Sequence, residues 1–105
     1  MTVPTIGRIV HYTLSKQDAD EINRRRKDAK LHRAEHIEAS SGVQVHVGND
    51  VREGDVYPLI ITRVWGSTPE SAINGQVALD GNDLFWVSSA AVGTGPHTFA
   101  WPTRN

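Results

Sequence analysis

The sequence predicts a mainly-β domain with one long polar helix inserted after its first strand. Three observations carry that expectation. The stretch from Tyr57 to Ser89 holds most of the large apolar residues, two of the three tryptophans and the clearest turn signals. A shorter alternating stretch, Thr5 to Leu14, precedes it. Between them lies a segment from Ser15 to Glu38 that contains neither Gly nor Pro and is full of helix formers.

Met1–Pro4 reads as a short tail, and Thr5–Leu14 as a strand with Ile9 and His11 on one face and Val10, Tyr12 and Leu14 on the other. Gly7 near its start marks a bulge or a close crossing. Ser15 then caps a helix, and Asp18, three residues on, can answer it. Apolar content along the helix is thin. Ala19, Ile22 and Ala29 form one narrow stripe, and Leu31, Ala34 and Ile37 continue it loosely. Such a helix lies on the surface by one shallow face or packs against a second copy of itself.

Val43 to Val47 alternates and reads as a short edge strand. Leu59 to Trp65 is rich in β-branched and aromatic residues, with Pro58 at its start, where a missing N–H is tolerated. Ile73 to Leu79 sets Ile73, Val77 and Leu79 on one side. Asp80-Gly81-Asn82-Asp83 predicts a tight hairpin through residues that accept positive φ. Leu84 to Ser89 returns, with Phe85 and Val87 on one face and Leu84 and Trp86 on the other. Phe99 to Pro102 is a last short strand. Five to six short strands with one helix fit a small SH3-like β-barrel. A β-sandwich, or an open sheet with the helix on one face, is the alternative.

The 105 residues suffice for one domain with one core, the helical insert spanning about residues 15–38. Hydrophobic residues make up only 38%, so part of the chain is expected to stay outside that core. A net charge of −1 provides no global field for nucleic acid or an anionic membrane, and neither is an expected partner. The absence of cysteine excludes disulfides and Cys-based zinc sites and fits an intracellular protein. No apolar run approaches the roughly 18–20 residues that span a bilayer, and the N-terminus lacks a signal peptide's basic and apolar regions.

Candidate chemistry is sparse. His32-Arg33-Ala34-Glu35-His36 could supply two zinc ligands one helical turn apart, with Glu35 as a base, but a third ligand is missing from the pattern. A solvated helix end explains it as well, and no metal or cofactor is expected. Arg24 to Lys27, with Arg25 and Arg26 at its centre, could meet phosphate, whereas Asp20, Glu21 and Asp28 would instead pair with it along the helix. Asp80 and Asp83 around Asn82 could hold a cation or do acid–base work, or could simply make a turn. His11, His46 and His97 stand singly, as hydrogen-bonded structural residues do. No nucleophile elbow, phosphate loop or Ser/His/Asp order is present, so no enzyme is expected.

Three tryptophans in so small a core imply that at least one is partly exposed. Trp65 or Trp86, with Arg63 and Asn74 near strand ends, would suit a flat aromatic ligand: a stacking plate, a phosphate grip and a polar edge contact.

G-R-I-V-H-Y-T-L (7–14), P-L-I-I-T-R-V-W-G (58–66), N-G-Q-V-A-L-D-G-N-D-L-F-W-V-S-S (74–89) and the G-P-x-T-F-A-W-P tail resemble a family of small uncharacterised bacteriophage proteins. The chain departs from the family pattern at Phe99, where the family often has a second tryptophan. The resemblance implies a phage product in the cytoplasm of a bacterial host and carries no site residues. Two functions fit that setting. One is a non-catalytic sponge that sequesters a nucleotide-derived host immune signal, ligand-bound between subunits that associate through the Ser15–Glu38 helix. The other is a structural or assembly module that works through protein contacts. The ligand-binding function is the sharper expectation.

Overall fold

The computed structural model describes residues 2–39 and 46–102, with side chains described outside 31–39. Five strands, β1 (Ile9–Thr13), β2 (Val56–Val64), β3 (Ile73–Ala78), β4 (Leu84–Val92) and β5 (Thr98–Ala100), close into a barrel. One helix, α1 (Lys16–Ala39), follows β1. Consecutive strands β1 to β4 pair antiparallel; β5 closes the barrel, antiparallel to β1 and parallel to β4. Closure leaves no unpaired strand edge, which suits a sheet too small to bury one. The barrel and its single helix are those that the sequence predicts.

The core follows from the alternation. Val10, Tyr12 and Leu14 point in from β1 and its end, Leu59 and Ile61 from β2, Val77 and Leu79 from β3 and just beyond it, and Phe85 and Val87 from β4. Each buried side chain of this size contributes about 1.5–3 kcal/mol of apolar transfer. Gly7 does mark a bulge. Its N–H donates to the Ile61 carbonyl (2.8 Å) while the Ile61 N–H donates to the Arg8 carbonyl (2.9 Å), so two residues oppose one. At φ 91° Gly7 sits where a side chain would strain the backbone.

α1 starts as its sequence dictates. The Asp18 N–H donates to Ser15 Oγ (3.1 Å), and the Ser15 N–H donates to Asp18 Oδ2 (3.0 Å). This reciprocal box satisfies two backbone donors. The helix then buries a stripe of Ala19, Ile22, Arg26 and Ala29, of which Ala19 and Ile22 join the barrel core. Asn23 fixes the returning chain: its amide donates to the Val51 carbonyl and accepts the Val51 N–H, both at 2.8 Å.

Three expectations need correction. The 80–83 turn contains no residue of positive φ; among the described glycines only Gly7 and Gly54 have one. The turn is instead tied to residues 47–49. The Asn82 N–H donates to the Val47 carbonyl (3.0 Å), and the Asn49 N–H donates to the Asp80 carbonyl (2.9 Å). His46 and Val47 are not in a strand, and Gly48 makes only an isolated bridge with Gly81. The rest of the expected Val43–Val47 strand lies outside the described residues. Finally, Pro4, read from the sequence as part of a tail, is buried.

Candidate functional site

The residues expected to form one site fall into three places. The first is built by two irregularities in the sheet. Ile61 lies opposite Gly75 but Arg63 lies opposite Asn74, so β2 carries one extra residue there. Gly75 lies opposite Val87 but Ile73 lies opposite Ala90, so β4 carries one as well. Ser89, at φ 54°, turns through the second bulge and leaves its N–H out of the ladder. Asn74 fills both gaps. Its Oδ1 accepts the Ser89 N–H (2.8 Å) and the Trp65 indole N–H (2.9 Å). The β2 bulge also turns Arg63 and Trp65 outward while Val64 packs against the core.

The result is a fixed aromatic plate. Trp65 remains 52% exposed, and the Arg63 guanidinium lies 4.0 Å from its ring centroid. Arg63 has no carboxylate partner among the described residues. A guanidinium stacked on an indole keeps its N–H edge free for a bidentate anion. Asn74, expected to touch a ligand, is 9% exposed with its oxygen already engaged. It positions Trp65 instead.

The second place is a cleft of about 710 Å³ between the first turns of α1 and β4, lined by Lys16, Asp18, Glu21, Trp86, Ser88 and His97. Trp86 is 57% exposed there. Behind it, the Tyr12 hydroxyl donates to the Asp18 carboxylate and accepts from His97 Nδ1 at 2.7 Å. Burial, then the hydrogen bond and charge of Asp18, raise the Tyr12 phenol far above its ordinary pKa. Tyr12 thus stays neutral and links β1, α1 and the start of β5. His97 is the hydrogen-bonded structural histidine the sequence suggests, held at φ 60° by its N–H to the Thr13 carbonyl.

The third place is an ion pair. Arg26 reaches Asp83 with two bonds, Nη2 to Oδ1 at 2.9 Å and Nη1 to Oδ2 at 3.1 Å. Both side chains are 1% exposed. Burial alone would push the Asp83 carboxyl up; the bonds and charge of Arg26, with His46 and Arg25 adding to them, hold it below the ordinary value. Arg25 Nη1 lies 3.4 Å from Asp83 Oδ2 and also donates to the Leu84 carbonyl (3.3 Å). The glycines beside the pair are obligatory. A Cβ at Gly48 would come within 2.5 Å of the Asp80 carbonyl oxygen, and one at Gly81 within 2.9 Å of Arg26 Nη2.

Arg26 and Asp83 are therefore corrected from ligand contacts to a structural clamp. A guanidinium with Nη1 and Nη2 on a carboxylate, Nε on the Asn49 carbonyl (3.3 Å) and only 1% exposure is closed to a phosphate from solvent. Asn82 belongs to the same junction, its Oδ1 accepting the Val47 N–H (3.0 Å). Among the described residues the basic run does not pair along its own helix either: Arg25 and Arg26 reach Asp83 just before β4, and the i,i+4 pair among them is Lys16–Asp20. The side chains of His32, Glu35 and His36 lie outside those described. Among the described residues no group of three His, Asp or Glu could hold a metal ion, and no helix is long and apolar enough to cross a membrane. The links of Asn74 to Ser89 and of Tyr12 to Asp18 and His97 have no signal in the sequence, because strand bulges and cross-strand hydrogen bonds leave no spacing there.

No protein-family model, curated protein or solved structure matches the chain.

Proposed function

We propose that this protein is a phage-encoded binder of a nucleotide-class small molecule, which it holds without converting and so withdraws from a host immune pathway in the bacterial cytoplasm. The observation that carries this reading is Arg63, without an ion-pair partner among the described residues and stacked 4.0 Å over the exposed ring of Trp65. A base has a π-face to lie on that plate, and a phosphate matches the guanidinium fork. The plate is preorganised, since the Trp65 indole is pinned by the buried Asn74. Its groups are poor at proton transfer: arginine does not deprotonate, and the indole N–H is already bonded. Binding without turnover follows from that chemistry.

The test is depletion and recovery. The purified protein is incubated with a panel of nucleotide signals, removed, and the free ligand assayed before and after heat denaturation. Depletion with intact release on heating is expected. Depletion without release means conversion, and no depletion of any ligand removes the reading.

A second reading, a phage structural or assembly module acting through protein contacts, is favoured by the exposed Ile9, Ile60, Leu84 and Trp86. Presence of the protein in purified virions would support it.

A further inference from the structure

Among the described residues three guanidiniums lie over aromatic rings, and two of them have no carboxylate partner. Arg25 lies 5.2 Å from the Phe85 ring centroid but is held 3.4 Å from Asp83 Oδ2. Arg63 over Trp65 is one of the two without a carboxylate. The other is the exposed Arg8, 4.9 Å from the ring centroid of Trp101, which packs on the core from just beyond β5. Strand order brings these two stacks to one end of the barrel. β1 runs antiparallel to β2 and β5, so its beginning lies beside their ends. The Ile61 N–H donates to the Arg8 carbonyl (2.9 Å), and Arg63 stands two residues further along β2. Strand spacing and rise put the Cα atoms of Arg8 and Arg63 roughly 8 Å apart. Bulges set both positions, one at Gly7 and one just before Arg63. The chain has 12 Asp and Glu, yet among the described residues of this end (2–8, 62–73, 90–93 and 100–102) the only carboxylate is Glu70. Two neighbouring cations without carboxylate partners favour an anion.

We propose that the two stacks form one site for a dinucleotide, two nucleosides joined through phosphate. One base lies on the Arg63–Trp65 stack, the other on the Arg8–Trp101 stack, and the guanidinium forks hold the phosphates. This inference rests on the nucleotide-class reading above and specifies its ligand. A guanidinium backed by an indole offers its plane to a base and its N–H edge to a phosphate, so one nucleotide uses one such unit. Two units within reach of a single small molecule match a ligand with two bases. A longer strand is disfavoured, because the row Ile9, Ile60 and Gln76 beside the two arginines supplies no cation for further phosphates. The Trp65 stack is the principal half. Asn74 pins its indole and its ring is 52% exposed, whereas Trp101 is partly covered by the core it packs on.

Isothermal titration calorimetry tests it with AMP, GMP and the linear and cyclic dinucleotides of adenine and guanine. The proteins are the wild type, Arg8→Ala, Arg63→Ala and, as a charge control at an exposed position of α1, Lys27→Ala. The expected result is a dinucleotide that binds the wild type at least about tenfold tighter than its mononucleotide. Arg8→Ala should remove that advantage, Arg63→Ala should abolish binding of both, and Lys27→Ala should change neither. Equal affinity for mono- and dinucleotide, or a dinucleotide affinity that Arg8→Ala leaves intact, overturns the two-stack site while the nucleotide reading stands. Absence of all binding also overturns it, and the depletion assay above then decides separately whether the nucleotide reading falls with it. A single strand of about ten nucleotides that binds more than about a hundredfold tighter than the dinucleotide overturns it in favour of nucleic acid, since the number of registers alone supplies about tenfold. Circular dichroism checks that each variant folds, and Arg8→Gln decides if Arg8→Ala does not.

Discussion

Arg26 in the middle of α1 and Asp83 just before β4 form a two-bond ion pair with both side chains 1% exposed. The pair sits where a helix–barrel contact would ordinarily be apolar. It occupies the one position of the Ala19–Ile22–Ala29 stripe that is not aliphatic, and it joins the inserted helix to a hairpin 57 residues away. A buried pair of this kind is often no more stabilising than an apolar pair of similar volume, but breaking one side of it is severe.

Asp83→Asn should therefore destabilise the fold by about 3–5 kcal/mol, because it leaves the Arg26 charge buried without a counter-ion. The double change Arg26→Met with Asp83→Leu should lose much less. Urea denaturation of the wild type, the single and the double variant measures the difference. A double variant as unstable as the single one would show that the pair contributes more than charge neutralisation.

Acid sensitivity follows with a defined sign. The folded-state pKa of Asp83 is depressed below its ordinary value. The group therefore contributes stability that is fully present above the unfolded pKa of about 3.9 and is lost as pH falls through the folded value. Stability measured from neutral pH downward should fall below about pH 4, and the Arg26→Met, Asp83→Leu double variant should show a flatter acid limb.

Asn74→Ala should cost about 1–3 kcal/mol, since the Ser89 N–H and the Trp65 indole N–H both lose their acceptor. The local effect is distinctive: Trp65 is unpinned. Tryptophan fluorescence should shift and broaden in this variant even under conditions where circular dichroism remains native.

Arg63→Ala should leave stability within about 0.5 kcal/mol, because the side chain is exposed and makes no ion pair among the described residues. It should abolish ligand depletion. Full depletion by this variant would remove the Arg63–Trp65 plate as the ligand site.

Ser15→Ala should lose about 1 kcal/mol by removing the side-chain acceptor for the Asp18 N–H. Thermal unfolding of the variant measures it. A wild-type midpoint would mean that solvent replaces the cap without loss.

Much of this architecture was legible in the sequence because it depends on local periodicity. Alternation alone set Val10, Tyr12 and Leu14 on the face opposite Ile9 and His11, and Phe85 and Val87 opposite Leu84 and Trp86; in the fold the first set of each is buried and the second exposed. Ser15 and Asp18 announced the helix start three residues apart, and three tryptophans in a small core implied the exposure found at Trp65 and Trp86.

What the tertiary structure decided is which polar groups meet. Arg26 reads as one of four consecutive basic residues, and Asp83 reads as the end of a turn. Only the packing of α1 against the 80–83 turn brings them to 2.9 Å and removes both from water. Asn74 likewise becomes a positioning residue only because bulges on both neighbouring strands orphan an N–H and swing an indole toward it. Apolar burial is non-directional and repeats with the period of the element, so it can be read along the chain. Hydrogen bonds and ion pairs need two groups at one distance and angle, and groups 57 residues apart acquire that only once the barrel has closed.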